Sequence, residues 1–317
     1  MGKQKKLNEA PGSQSGHFFS DVVSGNRDVP EISNFVPLLV SDKIDFASEW
    51  FESVNQGNFD KHIFCSIPSF FEMTRALAYS IVFHQHPSAI DSFVDIGASE
   101  GTLCAAVRYG SENRIKVYAI EPNTAMISRI EAQPVEIKAL QTALSNQEGS
   151  IYFEDESMEV PIYEFDLNPT SYVEVMTFQF LGAEREYYIR KIARDLPEFG
   201  IFLSCEKFSH NNIQIYHQNE QKKDAYKAQF FDKETLEKKI KDVLESPDGG
   251  MHENMVTPQQ YVEILMANFD YVGQFWDAGN FKGFVASNHL DAITSFLEHI
   301  PNLNTDFSTI QTPFLIE

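Results

Sequence analysis

The stretch Phe93-Val94-Asp95-Ile96-Gly97-Ala98-Ser99-Glu100-Gly101-Thr102 constrains the fold more than any other part of the chain. Apolar residues lead into an acid, two glycines stand four apart, and an apolar helix start follows. A second apolar run, Lys116-Val117-Tyr118-Ala119-Ile120, ends in Glu121-Pro122-Asn123, with Glu121 26 positions beyond Asp95. A strand, a glycine turn, a helix and a second strand closed by an acid is the unit with which α/β folds hold nucleoside cofactors. Gly97 permits a tight turn at the end of the first strand. Gly101 removes a Cβ where a ligand or strand must pass close to the helix. Asp95 falls at the carboxyl edge of the sheet, where such folds bind ligands. Glu121 has two carboxylate oxygens in one plane and can accept from both hydroxyls of a ribose.

Dinucleotides use the same unit, but their phosphate-gripping Gly-x-Gly-x-x-Gly is absent here. Ala98 and Ser99 follow Gly97, and no third glycine falls at the required step. A pyrophosphate would lack its cradle. S-adenosylmethionine carries no phosphate, and its sulfonium and amino group suit an acid at the strand edge. The expected cofactor is therefore S-adenosyl-L-methionine rather than a dinucleotide.

The rest of the chain alternates between the two periodicities. Strands are expected at 93–96, 116–120, 136–140, 151–154, 172–178 and 199–205, with helices near 101–109, 124–131 and 183–196. This predicts an α/β fold with a mainly parallel sheet and helices on both faces. Thr257-Pro258 opens a helix with proline at its first position. Tyr271–Trp276 and Lys282–Ala286 read as two last strands, followed by one short helix and a polar end. Phe64–Phe83 reads as a single helix with Pro68 in its first turn, and its apolar face is a candidate surface for a second copy of the chain. The predicted organisation is a flexible tail over 1–35, a helical N-terminal extension over 36–90, an α/β domain over 91–288 and a C-terminal tail over 289–317. An inserted segment near 211–256, rich in charge, is either a solvated helix ending in a loop or a lid over the pocket.

Charge and cysteine usage exclude several classes. Of 317 residues, 46 are acidic and 25 basic, a net charge of −21. Such a surface repels phosphate backbones, so direct nucleic-acid binding is disfavoured. The cluster Lys3, Lys5 and Lys6 reads as a solvated terminus. Cys65, Cys104 and Cys205 show no zinc or disulfide spacing and read as buried, reduced thiols. His84-Gln85-His86 lacks a third ligand, and no metal is expected. No secretory signal and no apolar run approaching the ~18 residues of a membrane span is visible, which points to a cytoplasmic protein with no membrane partner. The 27 phenylalanines are read as core rather than as pocket lining.

Val94-Asp95-Ile96-Gly97-Ala98-Ser99-Glu100-Gly101 and Ile120-Glu121-Pro122-Asn123 resemble the first two motifs of class I S-adenosylmethionine-dependent methyltransferases. Thr142-Ala143-Leu144-Ser145-Asn146-Gln147-Glu148-Gly149 resembles the FkbM-type branch, in which this turn lies beside the adenine. A longer resemblance is to the carboxy-S-adenosylmethionine synthases of tRNA wobble-uridine modification. It runs through Ser66-Ile67-Pro68-Ser69-Phe70, Thr177-Phe178-Gln179-Phe180-Leu181, Glu184-Arg185 and Ser204-Cys205-Glu206-Lys207-Phe208-Ser209. It continues to Phe275, Asn280-Phe281 and Gly283-Phe284-Val285-Ala286, in family order. These resemblances imply a Rossmann-like class I methyltransferase fold. They also imply cofactor contacts from Asp95, Gly97, Ala98, Ser99, Gly101, Glu121, Pro122, Thr142, Ala143, Thr177 and Gln179. The chain departs from the synthases where Phe70 replaces a tyrosine and Val175 an asparagine. The arginine that clamps the added carboxylate has no match, the equivalent region being Ser246-Pro247-Asp248-Gly249-Gly250. Without it a carboxylated sulfonium loses its partner.

The expected activity is methyl transfer from S-adenosylmethionine to a small or medium-sized acceptor. Alternatives are a carboxy-S-adenosylmethionine synthase-like enzyme and a cofactor-binding protein without turnover. Methyl transfer needs alignment and exclusion of water, and a base only when the acceptor must lose a proton. Tyr226, His252 and Glu253 are the candidates for that base on the substrate side.

Overall fold

A computed structural model of the chain describes residues 59–83, 90–121, 123–133, 135–141, 169–180, 184–234, 236–237, 254–300 and 313–316. Its centre is an eight-stranded sheet. The strands are β1 (Ser92–Ile96), β2 (Lys116–Glu121), β3 (Lys138–Gln141), β4 (Ser171–Val175), β5 (Ile201–Lys207), β6 (Tyr271–Ala278), β7 (Phe281–Ser287) and β8 (Phe314–Ile316), in the order β3-β2-β1-β4-β5-β7-β6-β8. The first five run parallel, and β7, β6 and β8 pair antiparallel. The chain moves outward from β1 to β3 on one side and then returns to add β4 on the other. The strand order therefore reverses beside β1, where an open α/β sheet leaves a crevice at its carboxyl edge.

The strand residues alternate between two cores, as the pleat requires. Phe93, Val117, Val173 and Leu203 face one core, shared with the helices α2 (Phe70–Phe83), α3 (Thr102–Gly110) and α8 (Leu290–His299). Val94, Ile120, Tyr172 and Phe202 face the other, beneath α5 (Glu184–Asp195) and α7 (Pro258–Met266). The remaining helices described are α1 (Phe59–Phe64), α4 (Thr124–Glu131) and α6 (Ile213–Lys227). Burial on both faces explains why β1 and β5 read as continuous apolar runs around their polar residues. Thr257 starts α7 with a capping box to Gln260 and Pro258 at the first helical position. All three cysteines are buried thiols, none of them in a disulfide. No helix among the described residues is long and apolar enough to cross a membrane.

Four expectations change. The single helix over Phe64–Phe83 is two, α1 and α2, separated by a turn at 65–69. Pro68 has no amide to donate and its ring collides with the carbonyl four residues back, so it cannot sit inside a helix. Ser69 at φ 55° completes the reversal. The apolar residues of α2, including Phe71, Met73, Leu77 and Ile81, fill the chain's own core, so they do not form the surface expected for a second copy. The strand expected over 172–178 ends at Val175, because Met176 at φ 59° turns the chain out of the sheet. The short helix expected after His289 is α8, but it packs into the core and a strand follows it. Ala292, Ile293 and Phe296 of α8 are buried, and β8 extends the sheet with Val272 opposite Ile316. The expected strand at 151–154 and the expected tail at 1–35 lie outside the described residues.

Candidate functional site

The loop after β1 is built from alternate left-handed residues: Gly97 at φ 74°, Ser99 at φ 54° and Gly101 at φ 79°. At Gly97 the glycine is obligatory for space as well, since a Cβ there would stand 2.2 Å from Thr177 Oγ1. The amides of Gly97 and Ala98 donate to the Ile120 carbonyl at 2.8 and 3.2 Å, which ties the loop to β2. Thr177 Oγ1 donates to the Ile96 carbonyl at 3.0 Å and closes the other side. Ser99 occupies a position that strains a residue with a Cβ, and its hydroxyl is held by Asp60 at 2.7 Å.

Four buried carboxyl groups surround this loop. Glu121, the last residue of β2, accepts from the Ser99 amide at 2.9 Å and the Asn123 amide at 3.0 Å. Burial raises it to about 7 against those two hydrogen bonds, with Asp60 adding to the rise. Asp95 is 3% exposed and takes a hydrogen bond from Cys104 Sγ at 3.5 Å. Burial lifts it to about 7 against that bond, helped by the negative charge of Asp60, Glu121 and Glu174. Glu100 is raised to about 7 by burial and then by Asp60, with Arg129 3.5 Å from its Oε1. Asp60, on α1, accepts from the hydroxyls of Ser99 and Thr102, while its amide donates to Glu100 Oε2 at 3.1 Å. Burial raises its carboxyl against the hydrogen bonds from Thr102 and Ser99.

Asp60 belongs to this cluster of carboxyl groups, and sequence reasoning missed it. It lies on a separate short helix upstream of the glycine loop, and only folding brings the two together.

The structure thus gathers Asp95, Gly97, Ala98, Ser99, Gly101, Glu121 and Thr177 at one sheet edge. Gln179 lies in the turn that follows Thr177. Its Nε2 donates to the Met176 carbonyl at 3.0 Å, and its Oε1 is buried without a hydrogen-bond partner. Behind that turn, Glu174 and Glu206 form a second acidic pair. The Phe178 amide donates to Glu206 Oε1 at 2.9 Å and to Glu174 Oε2 at 3.3 Å, and Ser204 donates to Glu174. Burial raises both groups. Two adjacent buried carboxyl groups cannot both ionise, so the pair holds a proton between them.

On the substrate side, Tyr226 does not fit the role of a base. Its hydroxyl donates to the Phe64 carbonyl at 3.0 Å, and burial holds it well above its ordinary value. It anchors α6 to the end of α1. Pro122, Thr142, Ala143, His252, Glu253 and the Ser246–Gly250 loop lie outside the described residues. No group of three or more His, Cys, Asp or Glu suited to a metal ion occurs among the described residues.

No protein-family model matches the chain, and no curated protein matches it in sequence. Solved structures do match. The plantazolicin methyltransferase BamL, in complex with a triazolic desmethylPZN analog and SAH, aligns with a TM-score of 0.50 at 10% identity, over 86% of this chain and 100% of that one. Human N-acetylserotonin methyltransferase, in complex with SAM, aligns at 0.40 and 10% identity, over 90% of this chain and 69% of that one. PigF with SAH aligns at 0.40 and 17% identity over 77% of this chain, which spans 63% of the length of PigF. Together with the sheet order and the loop after β1, the alignment with BamL identifies the Rossmann-like α/β methyltransferase fold.

Proposed function

We propose that the chain binds S-adenosylmethionine at the carboxyl edge of β1 and β2 and transfers its methyl group to a small or medium-sized acceptor. The observation that carries this reading is the set of four buried carboxyl groups, Asp60, Asp95, Glu100 and Glu121, around a glycine loop that lacks a phosphate cradle. Arg129 is the one cation paired with them among the described residues. A ligand with positive charge and a ribose, and without phosphate, satisfies that chemistry. The SAH bound in BamL supports the same choice.

When bound, the cofactor supplies a methyl carbon on a positively charged sulfur, open to in-line attack. The chain's own part is binding and alignment. Glu121 is placed to exchange its bonds with the Ser99 and Asn123 amides for ribose hydroxyls. Gly97, Ala98 and Gly101 keep side chains out of the crevice, and Asp95 and Asp60 oppose the positive charge. The resemblances assign Pro122, Thr142, Ala143, Thr177 and Gln179 to the cofactor as well, with the turn that begins at Thr142 beside the adenine. In our reading α6 belongs to a cap over the acceptor, because it follows β5 directly and is bonded to α1 through Tyr226. Closure of such a cap excludes water and aligns the two reactants, which is the main requirement of the reaction.

Isothermal titration with S-adenosylmethionine and with NAD tests the reading. Binding of the former alone is expected, with S-adenosylhomocysteine formed once an acceptor is supplied. Binding of NAD and not of S-adenosylmethionine would overturn it.

A further inference from the structure

We propose that the acceptor side of this site is built to hold an anion, a carboxylate or phosphate on the molecule to be methylated, through Lys207, Lys223 and Lys227. The inference rests on the methyltransferase reading above for the identity of the bound molecule as acceptor. Lys207 is the last residue of β5, at the carboxyl edge of the sheet. The helix α6 carries Tyr216, Glu220, Lys223 and Lys227 at steps of four, three and four, so they share one face. That face is turned inward: Tyr216, Lys223, Tyr226 and Lys227 are all buried.

The charges on this face do not balance. Glu220 lies 3.2 Å from Lys207 Nζ and is ion-paired to Lys223 as well. Burial works to raise its carboxyl, yet Lys207 and Lys223 hold it down at about 2. Asp224 stands 3.9 Å from Lys223 on the wetter side of the helix. Lys227, 7% exposed, forms no ion pair among the described residues. Burial and then Lys223 push its amine down to about 7 against the carboxylates of Asp224 and Glu220, and Lys207 adds to the push. A structural network of Glu220 with Lys207, Lys223 and Asn280 pairs two of the lysines directly and leaves the third only the longer-range pull of Glu220 and Asp224. Three close, buried amines are costly unless negative charge completes them.

The cluster is also held rigidly. Asn280, in the β6–β7 turn, donates to the Tyr216 carbonyl at 3.1 Å and to Glu220 Oε1 at 2.9 Å. Asn219 donates to Asn280 Oδ1 at 3.0 Å, and Lys207 Nζ lies over the rings of Tyr216 and Phe281. The site is then divided by charge. Carboxyl groups beyond β1 and β2 face a cationic cofactor, and amines beyond β5 face an anionic acceptor. In a chain of net charge −21, a local basic focus sets the sign of what is drawn to that end of the crevice.

Pyridoxal 5′-phosphate, an anionic aldehyde, is the probe for the full-length protein. A neutral amine condenses with the aldehyde to an imine with loss of water, and borohydride adds hydride to fix it as a secondary amine for peptide mapping. Lys227 should be labelled ahead of exposed lysines such as Lys222 and Lys233. Pyridoxal without the phosphate should label it about tenfold less, the loss of one good charge contact. Inorganic phosphate and acetate are competed separately, and protection by one over the other tells a phosphate-bearing acceptor from a carboxylate. Labelling spread over the surface lysines, or indifferent to both anions, would overturn the proposal. S-adenosylmethionine titration of the same preparation separates the two readings. Cofactor binding without selective labelling discards the anion site alone. Selective labelling without cofactor binding discards the acceptor assignment together with the methyltransferase reading. Lys227→Met should lose the label and retain cofactor binding, and the wild-type labelling decides the matter if that variant does not fold.

Discussion

Gly97 and Glu121 set the demands of the site at the scale of single residues. A Cβ at position 97 would meet Thr177 Oγ1 at 2.2 Å on a backbone at φ 74°. Neither the threonine, bonded to the Ile96 carbonyl, nor the left-handed turn can give way cheaply. Gly97→Ala should destabilise the fold by about 2–4 kcal/mol, from backbone strain and overpacking together. Urea denaturation checks this, and a variant as stable as the parent would refute the close approach of Thr177 to the loop. Glu121→Ala should leave the fold in place and weaken S-adenosylmethionine binding by about 10–100-fold, the worth of hydrogen bonds to a charged group. Unchanged affinity by calorimetry would remove Glu121 from the binding set. Both residues were legible in the sequence because the turn and the strand end impose a residue type locally. Asp60 was not, since nothing near it in sequence marks the hydroxyls of Ser99 and Thr102 that it receives.

At the scale of elements, α6 shows where pattern reading stops. Its run of Gln, Glu, Lys and Asp is compatible with a solvated helix, one of the two readings left open for it. In the fold its inner face is polar and buried, because the partners of Glu220 and Tyr216 come from β5 and from the β6–β7 turn. Asn280→Ala removes the donor to the Tyr216 carbonyl and to Glu220 together. Amide hydrogen exchange over Ile213–Lys227 should speed up by about tenfold or more, the effect of a net loss near 1.4 kcal/mol. Exchange as slow as in the parent would show that α6 is held by other contacts. The break between α1 and α2 teaches a related lesson. Pro68 was visible, but whether a proline opens a helix or separates two depends on the backbone just after it, and Ser69 is left-handed.

The balance of buried charge belongs to the whole molecule and makes its stability pH-dependent. Asp95, with an ordinary value of 3.8, and Glu100 and Glu121, with 4.5, all stand at about 7 in the fold. Between those limits the folded state binds more protons than the unfolded one, so stability falls as pH rises through the window. Lys227 stands at about 7 against 10.5. It is protonated in both states below 7, and above 7 the folded state holds fewer protons, so stability recovers as pH rises further. Glu220, at about 2 against 4.5, adds stability that is complete above 4.5 and lost toward pH 2. The thermal midpoint without ligand should therefore fall from about pH 5 to a minimum near 7 and rise again toward 9. A cationic ligand favours the ionised carboxylates, so stabilisation by S-adenosylmethionine should be larger at about pH 7.5 than at 5.5. A flat midpoint across this range would contradict the burial of these groups.

What the sequence determined by itself is the parallel α/β core and the kind of cofactor it is built to receive. These follow from local chemistry: strand runs of fixed period, a turn that needs glycine, and an acid at a strand end. What only the tertiary structure decided is the company those residues keep. It set Asp60 over the glycine loop, joined Glu174 and Glu206 as a proton-sharing pair, spent the Tyr226 hydroxyl on a backbone carbonyl, and drew β8 to the edge of β6. It also brought Lys207 at the end of β5 together with Lys223 and Lys227 on the buried face of α6. Each of these depends on burial and on partners distant in the chain, and the cost of a buried charge is fixed by what surrounds it in space rather than by its neighbours in sequence.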